Sequence, residues 1–324
     1  MQTQIFWKRP DLVFPSPFDA IFFDVDGVLI RAIESFRAAD IAVAEYVAGV
    51  IHGLDWGQRE GKRLLTLDDV KAFKQAGGYN NDWDMSYLLA TLATARLREW
   101  KGTPLAERSS EEWAALSRAA NLRGHGGVEW VREAMPPSAQ PNYDVVGDLY
   151  HEFYWGAEEY RKRYGRELRY LADFPGFVRN EKMLFPPDLP MKLRKAGIHH
   201  LGLITGRVGP EVDSVLERME AYSGERWWDV VIPADAYAKP DPRALSAAIE
   251  TVGARGGLYI GDTGDDLDVV LRYEAERKPD DPAMLAVMVV SKDEVELYQK
   301  RGADFVVSSV RDVVRCLPDY IKVE

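Results

Sequence analysis

The segment Ala20-Ile21-Phe22-Phe23-Asp24-Val25-Asp26-Gly27-Val28-Leu29 constrains this chain more than any other. Its uninterrupted apolar run is the pattern of a strand buried on both faces, as in a parallel sheet. The run ends in two aspartates one residue apart, which would lie at the carboxyl end of the strand, where open α/β folds bind ligands. Two like charges held so close are unfavourable unless a cation or a shared proton offsets them. Asp and Gly are also ordinary turn residues, so the pair by itself equally describes a capped strand end.

Three later segments decide between these meanings. Leu201-Gly202-Leu203-Ile204-Thr205-Gly206-Arg207 is an apolar run ending in a hydroxyl residue and a glycine. Asp229-Val230-Val231-Ile232 is followed by Ala238-Lys239-Pro240-Asp241-Pro242, and Leu258-Tyr259-Ile260 runs into Gly261-Asp262-Thr263-Gly264-Asp265-Asp266. Each run closes on residues suited to phosphate or metal chemistry. Singly, each has a plainer explanation: Asp262 and Asp266 as helix caps, Thr205 as a strand residue, Lys239 as a solvated loop charge. All four recurring at successive strand ends is what a shared site requires.

This ordered set resembles the phosphatase-like members of the haloacid dehalogenase superfamily. The resemblance implies that Asp24 is a nucleophile that becomes an aspartyl-phosphate and that Asp26 is the general acid/base. It implies that Thr205 binds the transferring phosphoryl group and that Lys239 places positive charge beside it. Asp262 matches the acidic Mg²⁺ ligand of the last motif, with Asp266 supporting it. Asp24 and the Asp26 backbone carbonyl complete the implied metal set. Gly206 and Arg207, directly after Thr205, are candidate substrate-binding residues.

These residue types suit the reaction. A phosphate monoester repels an anionic nucleophile, so charge must be neutralised first, and Mg²⁺ with hard oxygen ligands does this well. A compact ammonium and directed hydrogen bonds supply further positioning and electrostatic help. Asp26 lies two residues from Asp24, suited to protonating an alcohol as it leaves and then activating water. Displacement of halide needs no such acid. The expected activity is therefore Mg²⁺-dependent hydrolysis of a small phosphorylated metabolite. The alternatives are a phosphomutase, a phosphonate hydrolase with a Schiff-base lysine among Lys62, Lys71 and Lys74, and a non-catalytic ligand-binding relative.

A net charge of −11 disfavours a general nucleic-acid surface. The single cysteine, Cys316, excludes an internal disulfide and fits a reducing compartment, and the five histidines show no zinc-ligand spacing. No apolar stretch is long enough to cross a bilayer and the N-terminus lacks a signal-peptide pattern, so a cytoplasmic monomer or homodimer is expected. The aromatic N-terminal segment, with Phe6, Trp7, Phe14 and Phe18 among three prolines, is expected to pack as an irregular arm.

Strands are expected at 19–24, 200–204, 229–232, 257–261, 285–290 and 304–307, with helical segments between the later ones. This describes a doubly wound α/β core made of residues 1–31 and 175–324. Residues 32–174 read as an inserted α-helical cap, and the resemblance gives such a cap the work of a lid. Met85, Leu88, Leu89 and Leu92 form one apolar stripe, and Tyr150, Phe153, Tyr154, Ala157, Tyr160 and Tyr164 another. Two glycine-containing loops are candidates for facing substrate. The first, 77–83, contains Asn80, Asn81 and Trp83, and the second runs from Arg123 to Gly127.

Overall fold

The computed structural model describes residues 4–55, 64–79, 81–99 and 108–318. The chain forms two compact units, Met1–Arg31 with Lys182–Glu324, and Ala32–Glu181. The second crossing between them falls at Glu181, later than the 174/175 boundary expected from the sequence.

The first unit is built on a seven-stranded sheet. Its strands come from β1 (Ile5–Lys8), β2 (Ala20–Phe23), β5 (His200–Ile204), β6 (Val230–Ile232), β7 (Gly256–Gly261), β8 (Ala283–Val289) and β9 (Phe305–Val307). Two short strands, β3 (Ile30–Arg31) and β4 (Lys182–Met183), pair separately and antiparallel. The spatial order is β1-β9-β8-β7-β2-β5-β6, parallel throughout except for β1. Every residue of β2 and β7 is buried, so both faces of the sheet are covered. This is the doubly wound α/β architecture expected, and the apolar runs explain it.

After β2 the chain adds β5 and β6 on one side, then returns to add β7, β8 and β9 on the other. The order therefore reverses beside β2, and the crevice at such a switch point is where doubly wound sheets bind ligands.

The N-terminal segment is not the irregular arm expected. Ile5–Lys8 pairs antiparallel with β9, with Ile5 opposite Val307 and Lys8 opposite Phe305. This covers what would otherwise be the open edge of the sheet. Phe14 packs between Phe18 and Phe305, at ring-centroid separations of 6.0 and 6.2 Å.

The second unit is helical, with helices Ile33–Tyr46, Leu67–Ala76, Asp82–Glu99, Ser110–Asn121, Gly127–Ala134 and Tyr143–Tyr164. Met85, Leu88, Leu89 and Leu92 are buried, as are Tyr150, Phe153, Tyr154 and Tyr160, so both stripes read from the sequence form its core. Capping boxes at Thr66 and Ser109 satisfy the first amides of two helices. The buried Glu152 accepts hydrogen bonds from the amides of Arg169, Tyr170 and Leu171, tying down the chain that follows the last long helix. Among the described residues no helix is long and apolar enough to cross a membrane.

Candidate active site

The parallel register pairs Phe23 of β2 with Ile260 of β7, and the Asp24 amide continues the ladder by donating to the Ile260 carbonyl at 2.8 Å. Asp24 and Asp262 therefore emerge side by side at the switch point. The chain then closes tightly, since the amides of Leu29 and Ile30 both donate to the Val25 carbonyl and that of Gly27 donates to Ile30. Gly27 has φ of +83°, and a Cβ there would lie 1.8 Å from Asp262 Oδ2. Only glycine accommodates both the left-handed backbone and this close approach.

Lys239 joins two of the acids. Its Nζ lies 2.7 Å from Asp24 Oδ1 and 2.7 Å from Asp266 Oδ1. Asp266 Oδ1 also accepts from the Tyr259 hydroxyl at 2.7 Å. Its Oδ2 accepts from the amides of Asp262 and Thr263 and from Thr263 Oγ1, at 3.2, 2.9 and 2.7 Å. Thr263 caps helix Gly264–Glu276 in a capping box with Asp266. Helix capping and a place in the cluster thus coincide in one carboxylate. Gly261 permits this packing, because a Cβ on it would sit 2.2 Å from Asp266 Cβ.

The electrostatics follow from burial. Burial pushes the Asp24 carboxyl up to about 7; Lys239 opposes this, while Asp266 and Asp26 add to it. Burial likewise holds Asp262 well above the ordinary carboxylate range, with Asp24 and Asp266 adding like-charge repulsion. Burial would raise Asp266 too, but Lys239 and the hydrogen bonds from Lys239, Thr263 and Tyr259 outweigh it and hold the group below its ordinary value. For Lys239, burial favours loss of the proton, and the attraction of Asp24 and Asp266 overcomes it, leaving the ammonium firmly charged.

The donor set fits a hard divalent cation. Asp24, Asp262 and Asp266 each offer an oxygen, all within 4.8 Å of one another. Asp262 Oδ1 is buried and has no hydrogen-bond partner among the described residues. A cation at these oxygens would offset the burial and repulsion that raise Asp24 and Asp262.

Thr205 and Arg207 complete the cluster from β5. The Thr205 amide donates to the Ile232 carbonyl at 3.0 Å, which fixes the end of β5 against β6. Thr205 Oγ1 accepts from the Arg207 amide at 3.1 Å, and Gly206 between them is exposed. The Arg207 guanidinium forms a two-pronged ion pair with Asp26, its Nη2 2.6 Å from Asp26 Oδ1. Sequence reasoning missed this pairing and also missed Tyr259. A tyrosine in an otherwise apolar strand is the available signal for the second, since a buried hydroxyl seeks a partner.

The candidate residues of the second unit do structural work there. Asn81 Oδ1 accepts from the Trp83 amide at 2.8 Å and so caps helix Asp82–Glu99. Trp83 lies against the backbone of Gly147, where a Cβ would come within 2.8 Å of the indole, and edge-on to His151. Asp82 accepts from Lys74 at 3.0 Å and from the Tyr150 hydroxyl at 2.9 Å, so the Lys74 amine is engaged. Asn80 and Lys62 lie outside the described residues. The two glycine-containing loops meet each other around Asn121, with Gly78 close to Gly127. Cys316 is buried, and burial pushes its thiol up to about 12.

The model of the haloacid dehalogenase-like hydrolases matches residues 18–269. Among solved structures, "Phosphatase Tt82 from Thermococcus thioreducens" is 28% identical, with a TM-score of 0.57 over 87% of this chain and 98% of that one. CbbY from Rhodobacter sphaeroides in complex with phosphate is 16% identical, with a TM-score of 0.47 over 91% of this chain and 96% of that one. No curated protein matches the chain. With all four strand-end motifs inside or beside one acidic cluster and the family match spanning most of the sequence, the chain belongs to the haloacid dehalogenase-like hydrolase family.

Proposed function

We propose that the protein is a Mg²⁺-dependent phosphatase that hydrolyses a small phosphorylated metabolite through a phosphoryl group carried on Asp24. The observation that carries this is the buried Asp24 carboxylate, paired with Lys239 and next to Asp262 Oδ1, a buried oxygen lacking a hydrogen-bond partner among the described residues. The 28% identity to the Thermococcus thioreducens phosphatase Tt82, over 87% of this chain, agrees with it.

In the first half-reaction an Asp24 oxygen forms a bond to phosphorus as the bond to the ester oxygen breaks, and Asp26 gives its proton to the departing oxygen. In the second, Asp26 takes a proton from water, the water oxygen bonds to phosphorus, and Asp24 is released as a carboxylate with free phosphate. Lys239 stabilises charge on the transferring oxygens, while the Thr205 hydroxyl and the Gly206 amide supply hydrogen bonds to them. Asp24 and Asp262 would hold Mg²⁺, with the Asp26 carbonyl as the resemblance implies. When bound, the ion offsets the repulsion between Asp24 and the phosphate dianion. Asp266, whose oxygens already accept five hydrogen bonds, orients Lys239 and the 262–266 turn.

A screen of phosphorylated metabolites for phosphate release tests the proposal. Activity should require Mg²⁺ and vanish in Asp24→Asn, and the wild type should yield an acid-stable, hydroxylamine-sensitive phosphoryl adduct. Full turnover in excess chelator, or near-normal turnover by Asp24→Asn, would overturn it.

A further inference from the structure

Asp26 and Arg207 stand 181 residues apart in the chain and meet side by side at the strand ends. Arg207 Nε donates to Asp26 Oδ2 at 3.0 Å and reaches Oδ1 at 3.2 Å, while Nη2 donates to Oδ1 at 2.6 Å. The planar fork matches a carboxylate in this geometry and fixes its plane, which a single ammonium cannot do. The Arg207 side chain is 1% exposed, whereas that of Asp26 is 31% exposed. Within the pair, the guanidinium is therefore the anchored member and the carboxylate the accessible one. The Arg207 main chain is anchored as well, its amide on Thr205 Oγ1 and its carbonyl accepting from the Ala234 amide at 3.1 Å.

We propose that Arg207 is a positioning residue that holds the Asp26 carboxyl group in the orientation from which it serves the leaving oxygen. This rests on the phosphatase reading above. A residue that acts only through Asp26 matters as much as the leaving group needs a proton. An alkoxide needs one to depart, and p-nitrophenolate does not. Direct binding of the phosphoryl group by Arg207 would instead affect every ester equally.

The test compares kcat/KM, which reports transfer to Asp24, for a simple alkyl phosphate and p-nitrophenyl phosphate, using the full chain with Mg²⁺. For Arg207→Gln the alkyl ester should lose about tenfold to hundredfold while p-nitrophenyl phosphate loses less than about threefold. Asp26→Asn should show the same leaving-group pattern, and the double variant should be no worse than Asp26→Asn alone. Arg207→Lys should fall between, and it carries the comparison if Arg207→Gln does not fold. Equal losses on both esters, with or without a lowered melting temperature, would overturn the assignment while leaving the phosphatase reading intact. Wild-type protein that hydrolyses neither ester would overturn both.

Discussion

Replacing Lys239 with methionine tests the electrostatic account of the cluster most directly. The Lys239 side chain is 11% exposed and its two partners are 5% and 0% exposed, so its charge directly faces two buried carboxylates. Removing one partner of a buried ion pair costs about 3–5 kcal/mol, because the remaining charge is left uncompensated. That cost depends on pH. Burial pushes the folded Asp24 carboxyl up to about 7, above its ordinary value of 3.8. Its contribution to stability is therefore full below the unfolded value and is lost as pH rises through about 7. Without Lys239 the folded value climbs further, so the variant goes on losing stability where the wild type has levelled off. At about 1.36 kcal/mol per pKa unit, the gap between the two proteins should widen by up to about 2.7 kcal/mol between pH 7 and pH 9. Urea denaturation in chelator at both pH values reads the gap. Mg²⁺ at about a hundredfold over its dissociation constant should return about 2.7 kcal/mol to any form that binds it. A loss below about 1 kcal/mol at pH 9, or a gap identical at the two pH values, would refute the reasoning.

Gly27→Ala should strain the left-handed turn by about 1–2 kcal/mol and displace Asp262, so the rise in melting temperature that Mg²⁺ gives the wild type should be absent. Asp40, buried in the helical unit with Ser86 donating to it, is held well above its ordinary value by burial, with Asp82 adding to this and Lys74 and Arg37 opposing. Its stabilising contribution is present at low pH and lost as pH rises. Asp40→Asn should therefore gain on the wild type between pH 5 and pH 8 by urea denaturation, and a constant difference would contradict this. Trp83→Ala should cost about 3 kcal/mol through lost packing on Gly147, and Asn81→Ala about 1 kcal/mol through the lost cap, both read as thermal shifts.

Much of the fold is legible locally. The runs at 200–204 and 257–261 become β5 and β7 almost residue for residue, because an apolar run of strand length bounded by polar residues has few other ways to bury itself. The helical stripes of the second unit are legible for the same reason. The strand at Ile5–Lys8 is not, because its partner β9 lies some three hundred residues away and its four residues carry only a weak pattern. Asn81 and Trp83 illustrate a different limit. No local pattern says that Asn81 caps a helix rather than meeting a ligand, or that Trp83 fills the space above Gly147, because both outcomes depend on how the helices are arranged.

The chemical identity of the cluster, with its aspartates, threonine and lysine at strand ends or in the segments that follow them, is written in the sequence, because each motif is local and the parallel strands point their carboxyl ends to the same edge. The partnerships among those residues are decided only by the tertiary structure. Strand order puts β2 between β5 and β7, and the loop after β6 folds back to it, which brings Asp24 beside Asp262, Lys239 between Asp24 and Asp266, and Arg207 onto Asp26. Such contacts depend on angles and distances of a few ångströms between segments far apart in the chain, and no local pattern encodes them.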